Sequence, residues 1–257
     1  MSGQTGAGTL VVIPTYQERD NIESIVDRVR AATPEAHVLV VDDASPDGTG
    51  KIADALADAD PHVHVLHREG KAGLGAAYIA GFDVALERGD EFVVEMDADG
   101  SHRPEQLPDL LAALDGPDGR ADVVLGSRWV DGGSVVNWPK SRELLSRGGN
   151  VYTRVALGLN LRDATGGYRV YRSAVLRAID YAAVASQGYC FQVDLARRAL
   201  DAGFVVREVP ITFVERELGE SKMSTAIVRE ALWRVTQWGA ARRTEQLRAT
   251  FGGRDRS

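Results

Sequence analysis

The stretch Phe92-Val93-Val94-Glu95-Met96-Asp97-Ala98-Asp99-Gly100 reads as a short buried β-strand that runs out into two carboxylates. An extended backbone puts residues two apart on the same side, so Asp97 and Asp99 can converge on one cation at the strand's C-terminal end. Oxygen-only donors favour a hard ion, Mg2+ or Mn2+, whose common task is to neutralise a diphosphate. An Asp-x-Asp alone suits a solvated loop equally well; its place at a strand exit gives it weight. Upstream, residues 9–13 (TLVVI), 37–41 (HVLVV) and 63–66 (VHVL) are further β-branched runs, and the segments between them have helical periodicity. This alternation predicts an α/β fold with a mostly parallel central sheet flanked by helices.

Pro14 is expected to close the first strand. The first helix is expected to open near Asp20, where Asp20 and Glu23 form a capping-box-like pair ahead of Ile22, Ile25, Val26 and Val29. Residues 122–126 and 205–209 are further strand candidates, and residues 150–157 and 191–202 read as helical. Gly-rich turns at Asp47-Gly48, Gly73-Leu74-Gly75 and Asp131-Gly132-Gly133 punctuate the strand ends. Ligands of open α/β sheets bind beyond the carboxyl ends of the strands, so the polar groups there are the candidates. The second strand ends in Asp42-Asp43, whose carboxylates either accept hydrogen bonds from a base or ribose or close an Asx turn. The first ends in Pro14-Thr15-Tyr16-Gln17-Glu18, which offers a rigid turn, an aromatic face and a carboxylate. Gly73 and Gly75 begin a dinucleotide fingerprint, but Tyr78 occupies its third glycine position, which speaks against a dinucleotide-dependent oxidoreductase.

The 257 residues are 44% hydrophobic and 26% charged, enough for a sizeable core. A formal net charge of −7 argues against a nucleic-acid partner, which would need excess Lys and Arg to displace counterions. The single cysteine, Cys190, excludes an internal disulfide and a Cys-based zinc site, and fits a reducing compartment. The first eight residues lack the basic start and apolar middle of a secretory leader, and no run of about 18 apolar residues occurs. The expected location is therefore cytoplasmic, peripheral on the cytoplasmic face of a membrane.

The charge is uneven. Residues 128–177 hold nine Lys and Arg against three Asp and Glu, and residues 216–257 hold nine against five. These basic regions are either solvated surface or faces turned to an anion such as a phosphate or lipid head group. Between residues 224 and 243, Ile227, Val228, Ala231, Leu232, Val235 and Trp238 make one apolar stripe at helical spacing, with Trp233 off it beside Arg229. The stripe either packs on the domain or meets a membrane interface or partner. The chain is expected to divide into an α/β domain (1–222), an amphipathic C-terminal helix (223–248) and a flexible tail (249–257).

The motifs PTYQE, VDDASPDGT, GLGAAYIAGF, MDADGSHRP, GSR, SRGGN and FVERELGESK follow one another in this order. In this the chain resembles the GT-A-fold family 2 glycosyltransferases, specifically the polyprenyl (dolichyl) phosphate mannose synthases, from about Leu10 to Met223. The resemblance implies that Pro14, Tyr16, Glu18, Val41 and Asp43, with Asp42 beside them, bind the guanosine. It implies that Ala98 and Asp99 lie at the diphosphate and metal, with Asp97 as the other carboxylate. Ser101 stands where some members carry a metal-holding Gln, so it acts only through its hydroxyl or a water. Arg128, Arg142 and Ser146 match acceptor-phosphate positions, and Arg216 and Lys222 match a pair near the donor. Asp163, Arg169 and Gln192 are further family-like positions, read as structural. Residues 142 and 146 are also neighbours on one face of a helix that can begin after Pro139, and a guanidinium fork suits a phosphate.

The implied reaction is inverting transfer of mannose from GDP-mannose to a polyprenyl phosphate, with Mg2+ or Mn2+ and an integral-membrane partner protein. The alternatives are polyprenyl phosphate glucosyl transfer from UDP-glucose and a non-catalytic nucleotide-sugar-binding module. The intact Asp-Ala-Asp, Arg216 and Lys222 speak against the module. Processive glycan polymerisation would need spanning helices of its own.

Overall fold

The computed structural model describes residues 5–184, 189–216, 232–240 and 243–244. In chain order the elements are β1 (Thr9–Thr15), α1 (Ile22–Ala32), β2 (His37–Asp42), α2 (Thr49–Ala59), β3 (Val63–His67), α3 (Leu74–Arg88), β4 (Phe92–Glu95), and a 3-10 turn leading into α4 (Leu107–Ala112). There follow β5 (Asp115–Gly116), β6 (Gly119–Arg120), β7 (Val123–Ser127), β8 (Ser134–Val136) and α5 (Lys140–Leu157). The remainder comprises β9 (Arg169–Arg172), α6 (Ser173–Ala178), α7 (Tyr189–Asp201), β10 (Val206–Pro210) and β11 (Thr212–Val214). Residues 232–240 are helical.

The main sheet runs β10-β7-β9-β4-β1-β2-β3, parallel throughout except β9, which is antiparallel to both β4 and β7. Strands buried on both faces need apolar side chains on both, which is why runs such as Leu10-Val11-Val12-Ile13 do not alternate with polar residues. Val11, Ile13, Val38, Val40 and Val94 pack on one face with α1, α2 and α4. Leu10, Val12, Leu39, Val41 and Val93 pack on the other with α3, α6 and α7. Gly81 lets α3 lie close on β1, since a Cβ there would come within 2.3 Å of Val12 Cγ1.

Several expectations need correcting. Pro14 lies inside β1, opposite Val41. Val12 accepts from the Met96 N–H on the β4 side, whereas Thr15 accepts from Asp43 on the β2 side. Alternate residues thus face alternate neighbours, and the missing proline N–H falls on the β4 side, beyond the end of β4. α1 opens at Ile22 with Asn21 as N-cap and no side-chain cap; Asn21 instead donates to Glu18 at 2.8 Å, so no capping box forms. Gly73-Leu74-Gly75 opens α3 rather than forming a separate turn. The helix expected to begin after Pro139 does so at Lys140, with Pro139 as N-cap, but it runs without a break into the stretch expected over 150–157, so the two are one helix. β9 was not anticipated at all.

Candidate active site

Three strand exits line up at one edge of the sheet, because β1, β2 and β4 are parallel neighbours in near register. At the β2 exit Asp42 accepts from Thr15 Oγ1 at 3.0 Å and from the Ser45 N–H at 3.1 Å, and so ties the turn to β1. Asp43 accepts from Arg68 Nη1 at 2.6 Å and from the Ala72 N–H at 3.2 Å. Lys71 Nζ stands 4.0 Å over the Tyr16 ring. Val41 is fully buried in the core, so only its backbone can face a ligand. Pro14, Tyr16, Glu18 and Asp43 surround the same edge, and the wall formed by Arg68 and Lys71 was missed because nothing in their local pattern marks it.

Beyond β4, Asp97 accepts from Tyr78 Oη at 3.2 Å, and its backbone N–H donates to His102 Nδ1 at 3.0 Å, which puts any ring proton of neutral His102 on Nε2. Burial holds His102 below its ordinary pKa and therefore neutral. Burial lifts the Asp97 carboxyl above its usual range, opposed by His102 and reinforced by the Asp99 charge. Burial acts on Asp99 in the same direction, but hydrogen bonding from Ser101 and the Arg216 charge outweigh it and hold that carboxyl low. The Ser101 backbone N–H donates to Asp99 Oδ1 at 3.0 Å. Arg216 Nη2 reaches Asp99 Oδ2 at 3.0 Å.

The donor set is chemically that of a hard divalent cation. Among the described residues no cluster of three or more His, Cys, Asp or Glu could hold a metal alone. Two carboxylates with the remaining positions left to diphosphate oxygens and water is the usual Mg2+ arrangement, so Asp97 and Asp99 fit the ion expected.

The acceptor-side residues meet at a cavity of about 130 Å3 between α5 and the C-terminal helical segment, lined by Arg128, Trp138, Arg142, Ser146, Leu232 and Val235 among others. Its wall is otherwise mostly apolar, as a lipid chain requires. Arg142 pairs with Glu215, and the next residue is the Arg216 that pairs with Asp99. One dipeptide at the end of β11 thus touches both halves of the site. Lys222 lies outside the described residues.

Arg128 departs from expectation. It is 5% exposed, and its Nε and Nη2 both bond to Asp163 at 2.7 Å, with Asp163 wholly buried. The Asp163 N–H is in turn held by Glu208 at 2.7 Å. The basic segment 128–177 uses acids of its own, Asp163 for Arg128 and Glu143 for Arg147, and takes Glu215 from outside for Arg142. Arg128 therefore faces the cavity as a fixed positive charge, its fork already committed. Arg169, fully buried, donates to the carbonyls of Ala164, Gly166 and Gln192 and so shapes the loop that carries Asp163.

Of the apolar stripe, Val235 is buried and Trp238 packs partly against the core, whereas Trp233 is 61% exposed. Ile227, Val228, Arg229 and Ala231 lie outside the described residues, as does the tail 249–257. On α5, Leu144 is 71% and Val155 66% exposed, a surface the sequence reading overlooked. No helix among the described residues is long and apolar enough to cross a membrane.

Residues 10–180 match the family described as Glycosyl transferase family 2. The chain belongs to that family. Two relatives place this glycosyltransferase more narrowly. The polyprenol monophosphomannose synthase of Mycolicibacterium smegmatis is 58% identical over 241 residues, 93% of this chain and 90% of that protein. The undecaprenyl-phosphate mannosyltransferase of Micrococcus luteus is 59% identical over 243 residues, 95% and 98%. Among solved structures, glucosyl-3-phosphoglycerate synthase from Mycobacterium tuberculosis, in complex with Mn2+, UDP-glucose and phosphoglyceric acid, superposes with a TM-score of 0.66 at 20% identity, covering 93% of this chain and 82% of that one. Mannosyl-3-phosphoglycerate synthase from Rubrobacter xylanophilus gives 0.61 at 20%, covering 99% and 77%. The family 2 glycosyltransferase therefore has the GT-A fold, with the mostly parallel sheet expected.

Proposed function

We propose that the chain transfers mannose from GDP-mannose to the phosphate of a polyprenyl phosphate. The observation that carries this reading is the Glu215-Arg216 dipeptide, which joins Asp99 at the strand exit to Arg142 at the apolar cavity. The names of the two relatives supply the acceptor class and the sugar.

A phosphate monoester with a second pKa near 6 is largely ionised at neutral pH, so its own oxygen is the nucleophile and no general base is required. That oxygen forms a bond to the anomeric carbon of mannose. The bond from that carbon to the diphosphate breaks, and the nucleoside diphosphate leaves with the electron pair. A single displacement inverts the centre and gives β-mannosyl phosphate from an α-linked donor. The protein's work is positioning and electrostatics. Arg142, Ser146 and the fixed charge of Arg128 hold the acceptor phosphate, while Arg216 faces the leaving diphosphate, a role the resemblance also assigns to Lys222. Asp97 and Asp99 would hold the divalent ion, which when bound neutralises charge developing on that diphosphate. Pro14, Tyr16, Glu18, Asp43, Asp42, Ala98 and the Val41 backbone would frame the nucleotide.

The acceptor tail lies in a bilayer, and the exposed Leu144, Val155, Leu232 and Trp233 make the surface by which the chain would approach it from the cytoplasmic side, alone or beside a membrane-embedded partner. Purified protein incubated with radiolabelled GDP-mannose, a short polyprenyl phosphate and Mg2+ tests the reading. Transfer with GDP-mannose and not UDP-glucose is expected; no transfer from GDP-mannose, or a preference for UDP-glucose, would overturn it. Sedimentation with anionic vesicles shows whether the chain needs a partner to reach the lipid.

A further inference from the structure

Trp138 stands between β8 and α5, just ahead of the Pro139 N-cap, and lines the acceptor cavity with Arg128, Arg142 and Ser146. Arg142 stacks over its ring at 4.2 Å, Arg128 lies 5.5 Å from it, and Phe213 of β11 braces it edge-on at 5.3 Å. The ring is thus fixed on several sides. Its indole Nε1 is nonetheless buried without a hydrogen-bond partner among the described residues. Leaving a buried donor without an acceptor forfeits its solvation, and buried indole N–H groups normally find one.

From this arrangement we infer that the Trp138 indole N–H is a donor to the acceptor phosphate, completing the anion site that Arg142 and Ser146 begin. The inference rests on the acceptor reading above and extends it to a residue outside the family-like positions. A phosphate entering the cavity draws Arg142 from Glu215, and with it the guanidinium that covers the indole. The N–H then gains the acceptor it lacks. The chemistry favours a neutral donor here. Arg128 has two of its nitrogens committed to Asp163, and a further cation would withdraw charge from the oxygen that must attack. An indole N–H orients the phosphate while leaving its nucleophilicity largely intact.

Trp129 provides an internal control. Its Nε1 is likewise buried and unpartnered, and Arg128 lies 5.5 Å from its ring, but it lines a different cavity with Arg147, Arg154 and Arg162. In Trp138→Phe the ring and its stacking remain and only the donor is lost. The expected result is a KM for farnesyl phosphate raised about tenfold, with KM for GDP-mannose and Tm within experimental spread of the wild type, and no such change in Trp129→Phe. An unchanged farnesyl phosphate KM in Trp138→Phe overturns the inference.

A second measurement is independent of turnover. The chain has four tryptophans, so the full-length 15N-labelled protein gives four indole signals, and the one missing from Trp138→Phe is that of Trp138. Adding farnesyl phosphate should move this signal downfield. Farnesol should leave it in place, and inorganic phosphate should move it only at higher concentration. A signal that ignores farnesyl phosphate, or responds equally to farnesol, overturns the inference even if the protein proves to transfer another sugar. Absence of mannosyl transfer combined with a phosphate-dependent shift would instead overturn the donor reading and leave the indole site standing.

Discussion

The two halves of the site are built on different principles. At the donor edge the chemistry follows from strand geometry: β1, β2 and β4 stop side by side, and their exits deliver Glu18, Asp43, Asp97 and Asp99 to one place. At the acceptor cavity the charged groups come from the end of β7, from α5, from the residues just past β11 and from the loop before β9, and Arg128 and Arg142 are each held by an acid far away in sequence, 35 and 73 residues off. Asp43 and Asp99 at the donor edge are paired with arginines that stay partly exposed, Arg68 and Arg216, whereas at the cavity Arg128 is locked in the interior against a wholly buried acid. Acids on the two sides should therefore respond differently to removal.

The largest effect is expected at Asp163, and it is structural. Asp163→Asn leaves the buried Arg128 guanidinium without its counter-charge, a loss of about 3–5 kcal/mol, because breaking a buried pair strands the other charge. For a chain of this size that lowers Tm on the order of 10 °C, readable by calorimetry. A Tm shift below about 3 °C would show that Arg128 is not locked by Asp163 and is available to phosphate as a fork.

Asp99→Ala is expected to do the opposite. Transfer should fall by about 10²–10³-fold, the usual cost of losing a preorganised electrostatic group, while Tm stays nearly constant. Loss of the Arg216 contact is offset by relief of Asp97, whose carboxyl the Asp99 charge pushes upward. Near-normal transfer in the presence of Mg2+ would remove Asp99 from the metal site and erase the contrast between the two halves.

That contrast explains what could be read from the amino-acid order. The Asp97/Asp99 pair was legible because strand periodicity alone decides which side chains share a side. β9 was not, because its four residues begin and end in arginine, and Arg169 is bearable in the core only through carbonyls that the fold brings to it. The start of α5 after Pro139 was legible, but its continuity with residues 150–157 was hidden by Gly148 and Gly149, whose low helix propensity does not interrupt the helix. The ion pairs Arg128–Asp163 and Arg142–Glu215 join partners that no local pattern relates. Trp138 carried no signal beyond its place just ahead of a helix.

A smaller effect is expected at Glu215. Its pairing with Arg142 competes with the incoming phosphate, and its charge repels that phosphate. Glu215→Gln should therefore lower the acceptor KM about two- to fivefold, the range of a partly exposed ion pair, and leave the donor KM unchanged. A rise in acceptor KM would mean that Glu215 positions Arg142 rather than competing for it, and the cavity would then be as preorganised as the donor edge.

The smallest effect lies away from both halves, near the start of β2 and β3, and serves as their reference. His37 Nδ1 and His64 Nε2 share a 2.9 Å contact, with the His62 ring tilted at 4.8 Å from that of His37 and Arg88 3.2 Å from His64; Asp60 and Asp90 are the acids nearby. Burial lowers the pKa of both His37 and His64, and Arg88 lowers each further. Since the unfolded chain binds protons that these folded imidazoles refuse, stability should fall as pH drops below about 6.5, toward their lower folded values. His37→Gln and His64→Gln should each flatten the Tm-against-pH curve there by about 1–2 °C, because screening keeps such partly exposed interactions small. Neither should alter KM for donor or acceptor. A change in KM would mean that this end of the sheet communicates with the strand exits, and the two halves of the site could no longer be treated as the seat of all the chemistry.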